Sequence, residues 1–157
     1  MRILFVCHGN ICRSPMAEYL LNDLAEKRGL REQVFAESAA TSTEEIGNPV
    51  HHGTQKILNR LGISCREKRA IQMTASDYER YDWIIGMDQW NLRNILRITG
   101  GDPQKKIFRF LDLTDTPRDI ADPWYTGNFE ETYQDILQGC EALLNKYFSK
   151  GENKIDI

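Results

Sequence analysis

Hydrophobic and polar positions alternate along the chain in blocks that predict strands followed by helices. Short apolar runs predict four strands, at 3–6, 34–36, 81–87 and 106–110. Apolar residues that recur every three or four positions predict four helices, over 14–28, 51–61, 88–96 and 128–148. The third strand is apolar enough to be central in a sheet, whereas the fourth alternates as an edge strand does. This order predicts an α/β fold in which helices cover both faces of a parallel sheet.

The segments between these elements are polar. Residues 38–49 form a predicted loop that is long enough to flank a site. The charged run 66–69 is expected to be solvated, although basic residues near a site could also steer anions. A long acidic loop is predicted over 111–127, and the tail from Lys150 is expected to fray.

Composition and charge narrow the class of protein. The 157 residues predict one domain over 1–157, and the net charge of −3 argues against a nucleic-acid binder. No run reaches the roughly 20 apolar residues of a membrane span, and we expect a monomer with no membrane partner. The adjacent histidines His51 and His52 are expected to be solvated rather than metal ligands. The sequence has four cysteines, Cys7, Cys12, Cys65 and Cys140. Their spacing forms neither a disulfide framework nor a zinc-binding pattern, which favours a reducing, cytoplasmic location.

Residues 7–14 carry the candidate chemistry, because they connect the first strand to the first helix. Ser14 is the predicted N-cap and Pro15 the first helical residue. Such a turn points several backbone N–H groups into one space, which the helix dipole makes electropositive, so that an oxyanion would bind there. In α/β sheets ligands bind at this carboxyl end of the strands.

Two side chains of this segment suit attack on a bound phosphate. A local field of this kind lowers a thiol pKa from about 8.5 to roughly 3.5–7.5, so Cys7 is expected to be a thiolate. The planar guanidinium of Arg13 can bind two phosphate oxygens. A buried structural cysteine beside a surface arginine is the plain alternative, and a redox pair of Cys7 with Cys12 is another. A Walker-type nucleotide loop is excluded because no Gly-Lys-Ser/Thr follows.

Residues 6–18, Val-Cys-His-Gly-Asn-Ile-Cys-Arg-Ser-Pro-Met-Ala-Glu, resemble the signature of the low-molecular-weight protein tyrosine phosphatases. The resemblance continues in family order over nearly the whole chain, through 38–42, 47–49, 82–88 and 122–127. It implies a four-stranded parallel sheet flanked by helices on both faces, in the Rossmann-like arrangement of the phosphotyrosine protein phosphatase I type. It also implies hydrolysis of protein phosphotyrosine through a phosphocysteine intermediate, with no metal or other cofactor.

The resemblance also implies roles for individual residues. Cys7 would be the nucleophile, and Asp122 the general acid, which spacing alone could not select among the acids of its loop. Ser14 would donate a hydrogen bond to the thiolate, while Asn10 and Ser38 would hold the shape of the loop. The phosphate-binding segment would comprise His8, Gly9, Asn10, Ile11, Cys12, Arg13 and Ser14.

Substrate choice depends on the residues expected around the mouth. Trp124 and Tyr125 could form a slot for an aromatic ring, and Ile11 favours phosphotyrosine, since a sister group acting on phosphoarginine tends to carry Thr there. Glu44 stands in a loop where many members have an aromatic residue, which adds a negative charge.

Two further features concern the support and protection of the catalytic segment. Some family members support it with a histidine before the third strand, and residues 65–68 contain none. The resemblance also implies that Cys12 could trap an oxidised Cys7 as a reversible disulfide, and the plain alternative is that Cys12 is a small buried loop residue.

Two other classes remain as alternatives. A thioredoxin-coupled arsenate reductase would need extra cysteines after the third strand, and residues 86–90 have none. A non-catalytic phosphate-binding module would lack the nucleophile or the acid.

Overall fold

Four parallel strands form the centre of the computed structural model, which describes residues 1–148. The sheet has the order β2-β1-β3-β4 and consists of β1 (Arg2–Cys7), β2 (Phe35–Ala40), β3 (Trp83–Gly86) and β4 (Ile107–Arg109). The central third strand and the edge position of the fourth are therefore confirmed. The tail from Lys150, for which fraying was predicted, lies outside the described residues.

Helices cover both faces of this sheet, as predicted. They are α1 (Arg13–Lys27), α2 (His52–Arg60), α3 (Asp77–Arg80), α4 (Gln89–Thr99), α5 (Pro123–Thr126) and α6 (Phe129–Tyr147), with a 3-10 helix at Phe110–Leu113. Among the described residues, no helix is both long enough and apolar enough to cross a membrane.

Alternate residues of β1 enter different cores because successive side chains of a strand point to opposite faces. Ile3 and Phe5 pack with α1 and α6 in the larger core, and Leu4 and Val6 pack in the smaller core that α4 helps to close. Cys140, on the apolar stripe of α6, is fully buried in the larger core, as its helical spacing predicted.

Two predicted loops contain more regular structure than their polarity indicated. β2 continues through Ala40 into the predicted loop, since β1 extends to Cys7 and pairs with it at Cys7↔Ala40. The late loop contains the 3-10 helix and α5. Its apolar residues drive this order, because Phe110 and Leu111 are fully buried.

The prediction of Ser14 as the N-cap of the first helix was wrong. α1 begins at Arg13 and Cys12 occupies the N-cap position without a side-chain capping bond. The hydroxyl of Ser14 instead lies against Cys7 and Asn10. A buried serine can satisfy only the polar groups within its reach, and here these belong to the preceding turn.

Candidate active site

A cavity lies at the carboxyl end of β1, which pairs with β2 on one side and β3 on the other, at the point where the strand order reverses. This position agrees with the rule for ligand sites in open α/β sheets. Glu45 lines the cavity although the sequence did not indicate it. The cavity also contains most of the predicted site residues: Cys7, His8, Gly9, Ile11, Cys12, Arg13, Glu44, Asp122, Trp124 and Tyr125.

The backbone of the catalytic loop, residues 8–12, is held from outside. The carbonyl of Cys7 accepts from the N–H of Thr41 at 3.0 Å, and the carbonyl of His8 accepts from the N–H of Ser42 at 3.1 Å. The Ser42 hydroxyl adds a second bond to the same His8 oxygen at 2.8 Å. In a trans peptide the C=O and the following N–H point in opposite directions. Carbonyls fixed outward therefore direct the following N–H groups inward.

Within the described residues, no backbone N–H of the catalytic loop donates to a protein acceptor. Unpaired backbone donors are rare in folded proteins, and several that share one space at a helix N-terminus favour an anion. Asn10 gives the loop its curvature, because it adopts a left-handed φ of 58° that asparagine tolerates better than most residues.

The side chain of Asn10 connects the loop to its surroundings. It is fully buried, and its amide donates to the Ser14 hydroxyl at 2.8 Å and to the Ser38 hydroxyl at 2.9 Å. Its carbonyl accepts from the N–H of Ile71 at 3.2 Å. The structure thus brings together the three residues that the resemblance named for loop support, behind the cavity rather than in its lining.

The thiol of Cys7 lies at the floor of the cavity, 3.0 Å from the Ser14 hydroxyl. Because Ser14 already accepts from Asn10, its own proton is free to point at the sulfur. At the second thiol of the loop, burial, and then the charge of Cys7, raises the pKa of Cys12 strongly, so that Cys12 is a neutral thiol at physiological pH. Cys7, which lines the cavity beside the Ser14 hydroxyl, is placed for nucleophilic attack.

Arg13 is almost completely buried and is clamped by acceptors from two loops. One guanidinium nitrogen donates to Asp88 at 2.7 Å and to the Ile120 carbonyl at 2.8 Å, and the other lies 3.4 Å from Asp122. Burial lowers the pKa of Arg13, but the charges of Cys7, Asp88 and Asp122 outweigh it and the net pKa is raised. Arg13 is thus a fixed cation beside the loop.

Sequence reasoning missed Asp88 as a site residue. It lies two residues beyond the end of β3, and Cys7 ends β1, so both lie at the same edge of the sheet. That shared edge was the available signal, because parallel neighbouring strands end together.

Asp122 lies beside Arg13 and lines the same cavity as the catalytic loop. One carboxylate oxygen accepts from the Trp124 N–H at 3.0 Å, which makes Asp122 the N-cap of α5, and the other oxygen points at Arg13. The loop that carries it is anchored by the Ile120 N–H, which donates to the Met87 carbonyl at 2.9 Å. Asp122 therefore lies in a defined position from which it can reach a leaving group.

Lys68 stands behind the loop, in the segment that lacks the family histidine. Its ammonium donates to the Ser38 carbonyl at 2.8 Å and lies 3.8 Å from Glu18, which accepts from the Ser38 hydroxyl. Burial lowers the pKa of Lys68, and Glu18 and other anions only partly offset it. The expectation of a wholly solvated run at 66–69 was wrong for this residue, since the Glu18 and Ser38 acceptors draw it inward.

Acidic and aromatic side chains both line the cavity at its exposed end. Glu44 pairs with His8, and both side chains are largely exposed. Trp124 and Tyr125 are 58% and 81% exposed, respectively. The three predicted wall residues thus all line the cavity.

His51 is not simply solvated, contrary to its prediction. Its half-buried imidazole stacks on Phe129 at 5.0 Å and meets the edge of Trp124 at 5.6 Å. Burial, and then the adjacent charge of His52, lowers the pKa of His51. Phe129 and Trp124, which are far from His51 in sequence, contact it in the folded chain and cause this burial.

Within residues 1–148, no three histidine, cysteine or acidic side chains are grouped so as to hold a metal ion.

Comparisons with known proteins agree with this geometry. The sequence model of the family "low molecular weight phosphotyrosine protein phosphatase" matches residues 2–153. The low molecular weight protein-tyrosine-phosphatase YfkJ of Bacillus subtilis is 47% identical over 144 residues, which cover 90% of this chain and 92% of that protein. The phosphatase PtpA of Staphylococcus aureus is 37% identical over 154 residues, with 96% of each chain covered.

Solved structures of phosphatases have the same fold as this chain. The crystal structure of YfkJ has a TM-score of 0.90 at 45% identity and covers 97% of this chain and 96% of its own. The arginine phosphatase DARP of Drosophila has a TM-score of 0.84 at 29% identity, with 95% of this chain and 99% of its own covered.

Proposed function

The chain belongs to the low molecular weight phosphotyrosine protein phosphatase family, and on this premise we propose that Cys7, Arg13 and Asp122 carry out its hydrolysis of protein phosphotyrosine. The observation that supports these roles most directly is the convergence on one cavity of the Cys7 thiol, the unpaired loop N–H groups, the fixed Arg13 cation and the Asp122 carboxyl. We also infer that the chain acts as one phosphatase domain, over residues 1–157.

In the first step the loop N–H groups and Arg13 bind the phosphate dianion above Cys7. The thiolate attacks phosphorus in line with the departing oxygen, and Asp122 gives that oxygen its proton, so that phenol leaves and phosphocysteine forms. The N–H groups and the guanidinium stabilise the charge on the equatorial oxygens, and their fixed positions avoid reorganisation during the reaction.

In the second step Asp122, now a carboxylate, takes a proton from water as the water attacks phosphorus. The Cys7–phosphorus bond breaks, inorganic phosphate forms and the thiolate is regenerated. The Ser14 hydroxyl, at 3.0 Å from the sulfur, donates to the departing thiolate and makes it a better leaving group.

The substrate class follows from the mouth of the cavity. Trp124 and Tyr125 offer aromatic surface on which a phenyl ring can stack, and aromatic pairs of this kind contribute about 0.5–1.5 kcal/mol beyond buried area. Ile11 lines the cavity, and it favours phosphotyrosine over phosphoarginine because the sister group that acts on phosphoarginine tends to carry Thr at this position. We propose phosphotyrosine-containing proteins as the partners, with no nucleic acid, and a monomeric state in the cytoplasm.

Cys12 has a protective role in this proposal. Peroxide oxidises the Cys7 thiolate to a sulfenic acid and is itself reduced. The negative charge of Cys7 then no longer raises the pKa of Cys12, so the Cys12 sulfur gives up its proton and attacks the Cys7 sulfur, a disulfide forms and water leaves. Cys12→Ser should lose its recovery of activity with added thiol after peroxide treatment. Unchanged recovery in this variant would remove the role.

Hydrolysis of an aryl phosphate by matched variants tests the proposed function. Cys7→Ser should be inactive and still bind inorganic phosphate, because the serine hydroxyl is a much weaker nucleophile in an intact cavity. Cys65→Ser, at a buried cysteine outside the cavity, is the control and should retain activity. Asp122→Ala should lose least with the most acidic leaving group, which needs no protonation. Full activity in Cys7→Ser would overturn the assignment.

A further inference from the structure

The N-terminus of α2 forms part of the outer support of the catalytic loop. The N–H of His51 donates to the Ile11 carbonyl at 2.8 Å, and the hydroxyl of Thr54 donates to the Cys12 carbonyl at 3.0 Å. Thr54 has no exposed surface, so this bond has no competition from solvent. Serine and threonine inside a helix usually bond to a carbonyl of their own preceding turn. Here the hydroxyl instead reaches a different segment.

The position of the Cys12 carbonyl determines the direction of the backbone N–H of Arg13, because both groups belong to the same peptide. Since the peptide is trans, the N–H of Arg13 points away from the Cys12 oxygen, and Arg13 is one of the residues that line the cavity. The same oxygen also accepts from the Met16 N–H of α1, but at 3.4 Å this is the longer bond. The Thr54 hydroxyl is therefore the closer donor that fixes the Cys12–Arg13 peptide plane.

Close packing fixes α2 itself. A Cβ atom on Gly53 would lie 2.6 Å from the ring of Phe129, a distance that folded proteins do not tolerate. Only glycine lets α2 approach α6 so closely, and the imidazole of His51 stacks on the same ring. The helix therefore cannot move away from the loop without loss of this packing, so Thr54 is held at its acceptor.

We propose that Thr54 is a positioning residue of the phosphate cradle, which orients the Arg13 N–H by holding the Cys12 carbonyl. The inference rests on the proposed function, and it adds a residue that touches neither substrate nor the reacting atoms. Its effect is on the binding of the phosphoryl group in the ground state and the transition state, and not on proton transfer to the leaving group.

Thr54→Val tests this role because valine has nearly the same shape and lacks the hydroxyl. We expect inorganic phosphate, measured by calorimetry, to bind about tenfold more weakly, since one buried carbonyl loses its closer donor. The loss in kcat/KM should be equal for aryl phosphates with acidic and with basic leaving groups, because Asp122 is unaffected. Thr54→Ser keeps the hydroxyl and should restore phosphate affinity.

Thr114→Val is the matched control. The Thr114 hydroxyl is also buried and also donates to a backbone carbonyl, that of Leu111 at 2.6 Å, but it lies outside the cavity. This control should lose stability without loss of phosphate affinity. If Thr54→Val does not fold, Thr54→Ala removes the same hydroxyl without placing a methyl group where the hydroxyl stood.

The outcomes separate the inference from the function on which it rests. Phosphate affinity within twofold of wild type in Thr54→Val, or equal weakening in Thr114→Val, overturns the positioning role while hydrolysis by the wild type stands. A Thr54→Ser variant as weak as Thr54→Val overturns it as well. Wild-type protein that neither binds phosphate nor hydrolyses aryl phosphates would refute the proposed function, and with it the inference.

Discussion

Asp88→Asn tests the contact between Asp88 and Arg13 separately from the role of Asp88 in the local fold. Asp88 has two roles, because one oxygen pairs with Arg13 at 2.7 Å and the other caps α4 by accepting from the Asn91 N–H at 2.8 Å. Asparagine is as good an N-cap as aspartate, so the helix start should survive. The variant therefore removes the negative charge of one of the two carboxylates that contact Arg13 and leaves the other, Asp122, in place.

The expected size of the effect follows from the burial of the pair. The side chains of Arg13 and Asp88 are 2% and 16% exposed, respectively, so solvent screens their interaction weakly. A hydrogen bond to a charged group contributes about 1.5–3 kcal/mol, and Arg13 keeps its contacts with the Ile120 carbonyl and Asp122. If about 2 kcal/mol of transition-state stabilisation is lost, kcat falls about 30-fold.

Substrate affinity should change less than kcat in Asp88→Asn. The substitution also removes a negative charge close to the bound dianion, and this favours binding while the looser guanidinium weakens it. The assay is steady-state hydrolysis of an aryl phosphate, together with urea unfolding to measure stability. A kcat within threefold of wild type would refute the reasoning.

Asp135→Asn is the control for this experiment. Asp135 pairs with Arg118 at 2.8 Å and is 17% exposed, so it matches Asp88 in distance and burial but lies outside the cavity. Its kcat should remain that of the wild type. A parallel loss of kcat in both variants would assign the effect to general stability.

Three further predictions concern stability. Lys68→Met should lower the free energy of unfolding by about 2 kcal/mol, measured in urea, because it leaves Glu18 buried without its cation, and Lys68→Arg should retain more. The pKa of His51 is lower in the folded chain than the unfolded value near 6.5. Its contribution to stability is therefore complete above pH 6.5 and is lost as the pH falls through the folded pKa. The melting temperature of His51→Asn should depend less on pH than that of the wild type over this range. Gly139→Ala should destabilise by about 1–3 kcal/mol despite a helix-propensity gain of about 1 kcal/mol, since its Cβ would lie 2.8 Å from the Phe110 ring, and a calorimetric melting temperature equal to or above wild type would contradict this.

Local sequence patterns were sufficient for most of the fold. Apolar runs and helical periodicity identified the four strands and the main helices, because burial of those side chains is what selects the elements. The boundaries were less accurate where tertiary pairing decides them. β2 extends to Ala40 only because β1 offers a partner there, and this partner is not visible in the local sequence.

The catalytic loop was recognisable because its chemistry is contiguous in sequence, whereas its supports are not. Asp88 and Thr54 reach the loop from elements far along the chain, and the strand order that brings Asp88 to Arg13 cannot be derived from local patterns. Lys68 was expected to be solvated for the same reason, since Glu18 becomes its neighbour only after the sheet forms. Long-range polar contacts of this kind depend first on the topology, which decides which side chains meet, and only then on the side-chain type.

The central claim is that the Cys7 sulfur receives the phosphoryl group, and rapid acid quenching with a radiolabelled aryl phosphate tests it most directly. After proteolysis and peptide mapping, the account predicts label on Cys7 in the wild type and in Cys65→Ser, and neither label nor turnover in Cys7→Ser. Label on a different side chain, or continued turnover in Cys7→Ser, would contradict it.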